Sequence, residues 1–142
     1  MMTVTVCQVP NKTVEKLWRQ VLPILLKAKR YWDRYYDADD IKERCIKGNM
    51  QLWVQVIDRK IVTVLITELI SYPKCIYLRY TLIAGKNLRV AKKYAYIIEN
   101  WAKMHGAVGY EILGRTGWLA FVERNFGEPE VSAVWLCGKF GE

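Results

Sequence analysis

Apolar positions along the chain repeat at two spacings, and each change of spacing marks a change of element. Residues 2–9 alternate, Val4 and Val6 against Thr3, Thr5 and Cys7, and stop at Pro10, which predicts a first strand. The spacing then turns helical. Val14, Leu17, Trp18, Val21, Leu25 and Ala28 form one stripe behind a Thr13 cap, with Pro23 expected to kink or break it. Residues 27–36, KAKRYWDRYY, interleave aromatics with cations. The expectation there is a helix end whose rings pack down while Lys and Arg face water; the alternative is stacking on single-stranded nucleic acid. Asp37 opens a second helix, DADDIKERCIKG, with acids in its first turn, bases in its last and Gly48 to close it. Asp37, Asp39 and Asp40 are read as helix-start residues rather than metal ligands. Residues 51–57 and 61–70 read as strands joined by the tight Asp58-Arg59-Lys60 turn, a β-hairpin.

After the turn Ser71-Tyr72-Pro73-Lys74, residues 76–111 read as strand, loop, long helix and strand. The strand 76–83 is rich in β-branched and aromatic residues, and Ala84-Gly85-Lys86-Asn87 is the loop. The helix 88–105 shows one apolar face, Ala91, Tyr94, Ala95, Ile98, Trp101, Ala102 and His105, and stops at Gly106. Residues 107–112 form the second strand, completing a βαβ unit. Free N–H groups at the helix start, with Lys86, Arg89, Lys92 and Lys93 around them, make an anion seat. Beyond it come Gly114-Arg115-Thr116-Gly117-Trp118, a short helix over 118–125 and a last strand over 131–139. The order is β-α-α-β-β-β-α-β-α-β, which predicts an α/β (α+β) fold with a mixed central sheet in one domain over 1–142.

Composition narrows the function classes. A chain of 142 residues with 52% hydrophobic and 25% charged residues builds a core without staples. No apolar run reaches bilayer length and the start lacks a signal-peptide layout, so a soluble, intracellular protein without a membrane partner is expected. Cysteines 7, 45, 75 and 137 form no C-x-x-C pair and only one histidine is present, so no metal site is expected and all four thiols are read as buried or half-buried. The net charge of +8 favours phosphate in some form: nucleotide cofactor, nucleic acid or an acidic partner.

The element order, with two early helices before a hairpin and a strand feeding a glycine-bearing loop and long helix, resembles the GNAT superfamily of N-acetyltransferases over nearly the whole chain. More narrowly, it is similar to small GNAT-like proteins of tailed bacteriophages. That likeness rests on Tyr36-Asp37-x-x-Asp40-Ile41, Gln51-Leu52-Trp53, Ile66-Thr67-Glu68, Tyr72-Pro73, Ala84-Gly85 and Gly114-Arg115-x-Gly117-Trp118. It implies acetyl-CoA, or another acyl-CoA, lying where the strand before the long helix splays from its neighbour. The family's Q/R-x-x-G-x-G/A phosphate loop falls on Lys86-Asn87-Leu88-Arg89-Val90-Ala91. Lys86 replaces the first cation and Ala91 fits the last position, but Arg89 stands where the central glycine should be. Arg89 would either fill part of the pyrophosphate seat, or Gly85 would support a differently shaped loop. Backbone N–H groups of Leu82, Ile83 and Gly85 would polarise the acyl carbonyl, with Asn87 beside the loop.

The resemblance also implies a general base for the substrate ammonium, and Glu68, polar at the end of an apolar strand, is the first candidate with Glu111 second. The plainer reading pairs Glu68 with Arg79 and Glu111 with Arg115. The family's catalytic tyrosine has no counterpart in Leu119-Ala120-Phe121-Val122-Glu123, so Tyr80, or Tyr77 beside it, is the candidate proton donor. Arg115 at a strand end reads as an anion clamp for the substrate, with Trp118 anchoring its turn. His105 reads as a packing residue. The resemblance thus implies an acyl-CoA:amine acyltransferase acting on a small molecule or protein. Against it stands a non-catalytic relative that contacts virion or host proteins, in the host cytoplasm or a phage particle, as a monomer or homodimer. Nucleic-acid binding through the basic surface is a third reading.

Overall fold

The computed structural model describes residues 3–86, 88–112, 122 and 138–141, with backbone alone for 88–94. The chain divides into two compact units, Met1–Ile112 and Leu113–Glu142. In the second, Val122 is helical and residues 138–141 have no regular structure; the expected helix 118–125 and strand 131–139 otherwise lie outside the described residues.

The first unit is a five-stranded sheet in chain order: β1 Val4–Gln8, β2 Gln51–Ile57, β3 Lys60–Ser71, β4 Ile76–Gly85 and β5 Ala107–Ile112. The first four strands pair antiparallel and β4 pairs parallel with β5, so the sheet is mixed as its sequence order requires. Helices α1 Val14–Leu26, α2 Lys29–Trp32 and α3 Ala38–Lys47 precede β2, and α4 Leu88–Met104 crosses from β4 to β5.

The sheet buries both faces. Leu52, Val54, Val64, Ile66 and Ala84 pack with Trp18, Val21 and Leu25 of α1 and Ile41 and Cys45 of α3. Trp53, Leu65, Leu78 and Ala107 pack with Ile98 and Ala102 of α4. Alternation explains the split, because neighbours on a strand point to opposite faces. On the α4 side a polar chain is satisfied inside this packing: Trp53 Nε1 donates to Thr67 Oγ1 at 2.9 Å, and Thr67 Oγ1 donates to Gln51 Oε1 at 2.9 Å.

Pro23 does not break α1, which runs unbroken from Val14 to Leu26. An interior proline costs about 3 kcal/mol. The five buried side chains Val14, Trp18, Val21, Ile24 and Leu25 each return about 1.5–3 kcal/mol, so packing decides. Thr13 makes no side-chain cap; the chain enters α1 through a 3-10 turn in which its N–H donates to Pro10 O at 2.8 Å. The reading of α3 holds: Asp37 N–H donates to Asp40 Oδ2 at 2.8 Å, and Gly48 closes the helix in the left-handed region at φ 86.

Two expectations about burial are corrected. In residues 27–36 only Trp32 packs fully down, its Nε1 donating to Leu25 O at 3.1 Å, while Tyr31 and Tyr35 are exposed. Cys7 is exposed: it follows the buried Val6 on β1 and so points to the other face of that outer strand. His105, though exposed, packs as expected: it stacks on Trp101 with ring centroids 4.3 Å apart, and its Nδ1 lies 2.8 Å from Trp101 O.

Two single-residue slips shape the end of β4. Between β2 and β3 the register jumps from Gln55↔Thr63 to Val56↔Ile61, leaving Val62 as the extra residue. Its carbonyl accepts the Lys86 N–H at 2.9 Å, and the Thr63 hydroxyl donates to the Lys86 carbonyl. Gly85 has φ +118, and a Cβ there would lie 2.2 Å from Val62 O and 2.8 Å from Thr63 Cα. Only glycine permits this approach. Gly85→Ala is expected to destabilise the protein by about 2 kcal/mol or more, read as a lowered denaturation midpoint with an unchanged m-value. An unshifted midpoint would contradict the contact.

Candidate active site

The second slip lies between β3 and β4. Ile66 pairs with Leu82 and Thr67 with Tyr80, so Thr81 is the extra residue on β4. A bulge re-aims side chains locally. The Thr81 hydroxyl donates to Glu68 Oε2 at 2.5 Å, so Thr81 shares the face of Glu68. That is the α1–α3 face, since Ile66 packs there and Thr67 and Leu69 face α4.

Around Glu68 this face carries a polar group. Arg79, opposite Glu68 in register, turns instead to Glu111, with Nε 2.9 Å from Oε1. Tyr72 completes the arrangement by donating its hydroxyl to both Glu111 oxygens at 2.9 Å. The pairing of Arg79 with Glu68 is thus corrected: parallel β5 places Glu111 directly beside Arg79, and Tyr72 binds the same carboxylate. Among the described residues Glu68 carries no ion pair. The half-buried Tyr36, in the link between α2 and α3, feels the charges of this group. Burial, and next the charge of Glu68, push its hydroxyl upward, while Arg44 and Arg79 pull it down. Arg44 lies over its ring at 5.7 Å.

The described part of the β4–β5 ladder ends close to Glu68. The parallel β4–β5 ladder runs from Ile76↔Ala107 to Tyr80↔Ile112, and β4 continues through residues 81–85 past that last described pair. Leu82 packs on the α1–α3 face and Ile83 on the α4 face. The exposed Lys86 follows, and α4 starts at Leu88, with Arg89 and Ala91 in its opening turns. Gly85 is held by backbone packing against β3, so its glycine answers to Val62 whatever else the loop does.

Tyr80 stands apart. It packs on the α4 face, opposite Glu68, edge-on to Tyr110 with centroids 6.3 Å apart. Burial, then Glu99 and Tyr110, push its hydroxyl up to about 12. Glu68 and Tyr80, the two candidate catalytic groups, therefore cannot act on one atom from the same side. Asn87, Arg115 and Trp118 lie outside the described residues. Sequence reasoning missed Tyr36 and Thr81: the first feels the charge of Glu68 across the fold, and the second bonds it only once the β3–β4 register is known.

No protein-family model matches the sequence, and no curated protein matches it. The fold, however, has solved counterparts across the full chain. An aminoglycoside acetyltransferase from an uncultured soil metagenomic sample, in complex with trehalose, superposes with a TM-score of 0.75 at 11% identity, covering 97% of each chain. A ribosomal-protein-alanine N-acetyltransferase from Brucella melitensis biovar Abortus 2308 gives 0.70 at 11% identity, covering 98% of this chain and 100% of that one. The aminoglycoside N-acetyltransferase AAC(6')-Iy in complex with CoA gives 0.70 at 14% identity, covering 98% and 96%. The chain has the GNAT acetyltransferase fold.

The buried groups set an alkaline limit. Burial raises the Cys45 thiol to about 12 from its ordinary 9.0, and Tyr80 rises to about 12 from 10.0. Both folded values lie above the unfolded ones, so their contribution is fully present below pH 9.0 and is lost as pH rises through about 12. Stability measured by denaturant should fall across that window, and Cys45→Ala with Tyr80→Phe should flatten the fall. An unchanged slope in the double variant would contradict these assignments.

Proposed function

We propose that the protein is an acyl-CoA-dependent N-acyltransferase. The observation that carries the proposal is the position of Glu68: a carboxylate without an ion pair among the described residues, beside the stretch where β4 runs on past its last described β5 partner. The residues present suit an acyl-CoA. Lys86 and the free N–H groups at the start of α4 offer charge and donors for its phosphates, and Arg89 and Ala91 share those turns. Arg89 adds a cation where related loops have glycine, so the phosphates would meet a side chain as well as backbone. When bound, the group supplies an activated acyl thioester.

The acceptor is an amine. Aminoglycosides and a protein alanine are the acceptors named for the structural counterparts, and both present one. Glu68 takes the ammonium proton, which frees the nitrogen lone pair for attack. Thr81 holds Oε2 and leaves Oε1 for the substrate, while Glu111 and Tyr72 keep Arg79 from neutralising the base. Backbone N–H groups of residues 82–85 polarise the acyl carbonyl. Arg115 and Trp118 serve the acceptor side. Tyr80, on the opposite face, has no part in this scheme.

A second reading is a non-catalytic phage-type protein that contacts virion or host components. Arg89 at the glycine position, and the lack of tyrosine in 119–123, favour it.

Calorimetric titration with acetyl-CoA and desulfo-CoA separates the two. The enzyme reading expects micromolar binding that Lys86→Glu and Arg89→Glu each weaken. Glu68→Gln should leave binding intact and lower transfer to an amine by about 10²- to 10⁴-fold. Absence of acyl-CoA binding by folded protein would overturn the enzyme and leave the second reading.

A further inference from the structure

Residues 27–35 stand outside the acyltransferase scheme and show an arrangement that packing does not require. Lys27, Lys29, Arg30 and Arg34 are exposed, with one acid, Asp33, among them. Tyr31 and Tyr35 are 39% and 52% exposed between these cations. The segment is nevertheless fixed. Trp32, 2% exposed, is tied to the Leu25 carbonyl, and Tyr35 and Tyr36 N–H groups both donate to Trp32 O. The Arg30 guanidinium lies 4.8 Å over the Tyr31 ring and its Nη2 donates to the Tyr31 hydroxyl at 2.5 Å. Exposed Lys16 and Arg19 extend the positive charge along α1, and the acids Asp37, Asp39 and Asp40 end it at the start of α3.

We infer that this segment binds single-stranded nucleic acid, with Tyr31 and Tyr35 stacking on bases and Lys27, Lys29, Arg30 and Arg34 on the phosphates. The charge selects a polyanion. The rings choose among polyanions: bases present flat faces, whereas an acidic peptide offers carboxylates that need only the cations. A duplex keeps its bases stacked internally, so it gains nothing from the tyrosines. The rigid Trp32 anchor lowers the cost of ordering these side chains on binding. The inference does not rest on the acyltransferase reading, since none of these residues belongs to that site.

The test is fluorescence anisotropy with a labelled mixed-sequence oligonucleotide of about twelve residues, single-stranded and as duplex, over a salt series. Single strands should bind more tightly than duplex. The log–log salt slope should be about −0.7 per neutralised phosphate, so roughly −3 for four cations. Tyr31→Ala with Tyr35→Ala should weaken single-strand binding by about tenfold or more and leave the slope unchanged. Arg30→Glu with Arg34→Glu should weaken binding and flatten the slope. The charge-matched pair Lys60→Glu with Lys74→Glu, on exposed residues elsewhere, should change neither. Equal affinity for duplex, equally effective competition by polyglutamate, or no effect of the tyrosine pair would each overturn the inference. The last two would indicate a generic polyanion surface or an acidic protein partner.

Discussion

One residue of slippage between β3 and β4 governs the polar face of the molecule. Tyr80 faces α4, so alternation sets Thr81 on the α1–α3 face beside Glu68, and the extra residue then keeps Leu82 on that face too, where unbroken alternation would have turned it to α4. Thr81 and Leu82 thus sit side by side on the face of Glu68, and Tyr80 lies in the opposite packing layer. The slip at Val62 acts on the same strand end from the other side. It turns a backbone carbonyl towards Lys86 and makes Gly85 the only tolerable residue there. Both irregularities fall at the end of β4 that leads into α4, so strand pairing, loop shape and the start of that helix depend on one another.

The charges on this face are arranged by geometry rather than by sequence distance. Arg79 faces Glu68 across β3 and Glu111 across β5, and its ion pair goes to Glu111, where Tyr72 also donates. This choice leaves Glu68 as a carboxylate held only by a neutral hydroxyl among the described residues. A carboxylate so held keeps its charge uncompensated, whereas Glu111 is already paired with a guanidinium. Tyr36, beside Arg44, has its hydroxyl raised by burial and next by the charge of Glu68.

Much of the fold was legible because it depends on local periodicity. The hairpin turn, the capped α3 with Gly48, the crossover helix ending at Gly106 and β5 over Ala107–Ile112 follow from spacing and turn chemistry. Strand β4 runs two residues past its expected end, to a glycine that an intrastrand bulge requires. What escaped was non-local. Single-residue slips leave no mark in composition, and the electrostatic coupling of Tyr36 to Glu68 joins parts of the chain separated by a helix and a strand. Periodicity also misjudged Pro23, where buried neighbours outweigh the proline, and the rings of residues 27–36, where only Trp32 found a place inside. Of the candidate site, Glu68 and the β4–α4 junction were visible; the face each side chain takes was not.

The proposed function requires the backbone at the end of β4 to take part in binding acyl-CoA. Amide hydrogen exchange resolved by residue, with and without desulfo-CoA, tests it directly. The account predicts added protection at those amides of residues 81–85 not already bonded to β3, and at the first turn of α4, with Ala107–Ile112 unchanged. Binding that protects other segments and leaves residues 81–85 exchanging as before would contradict it.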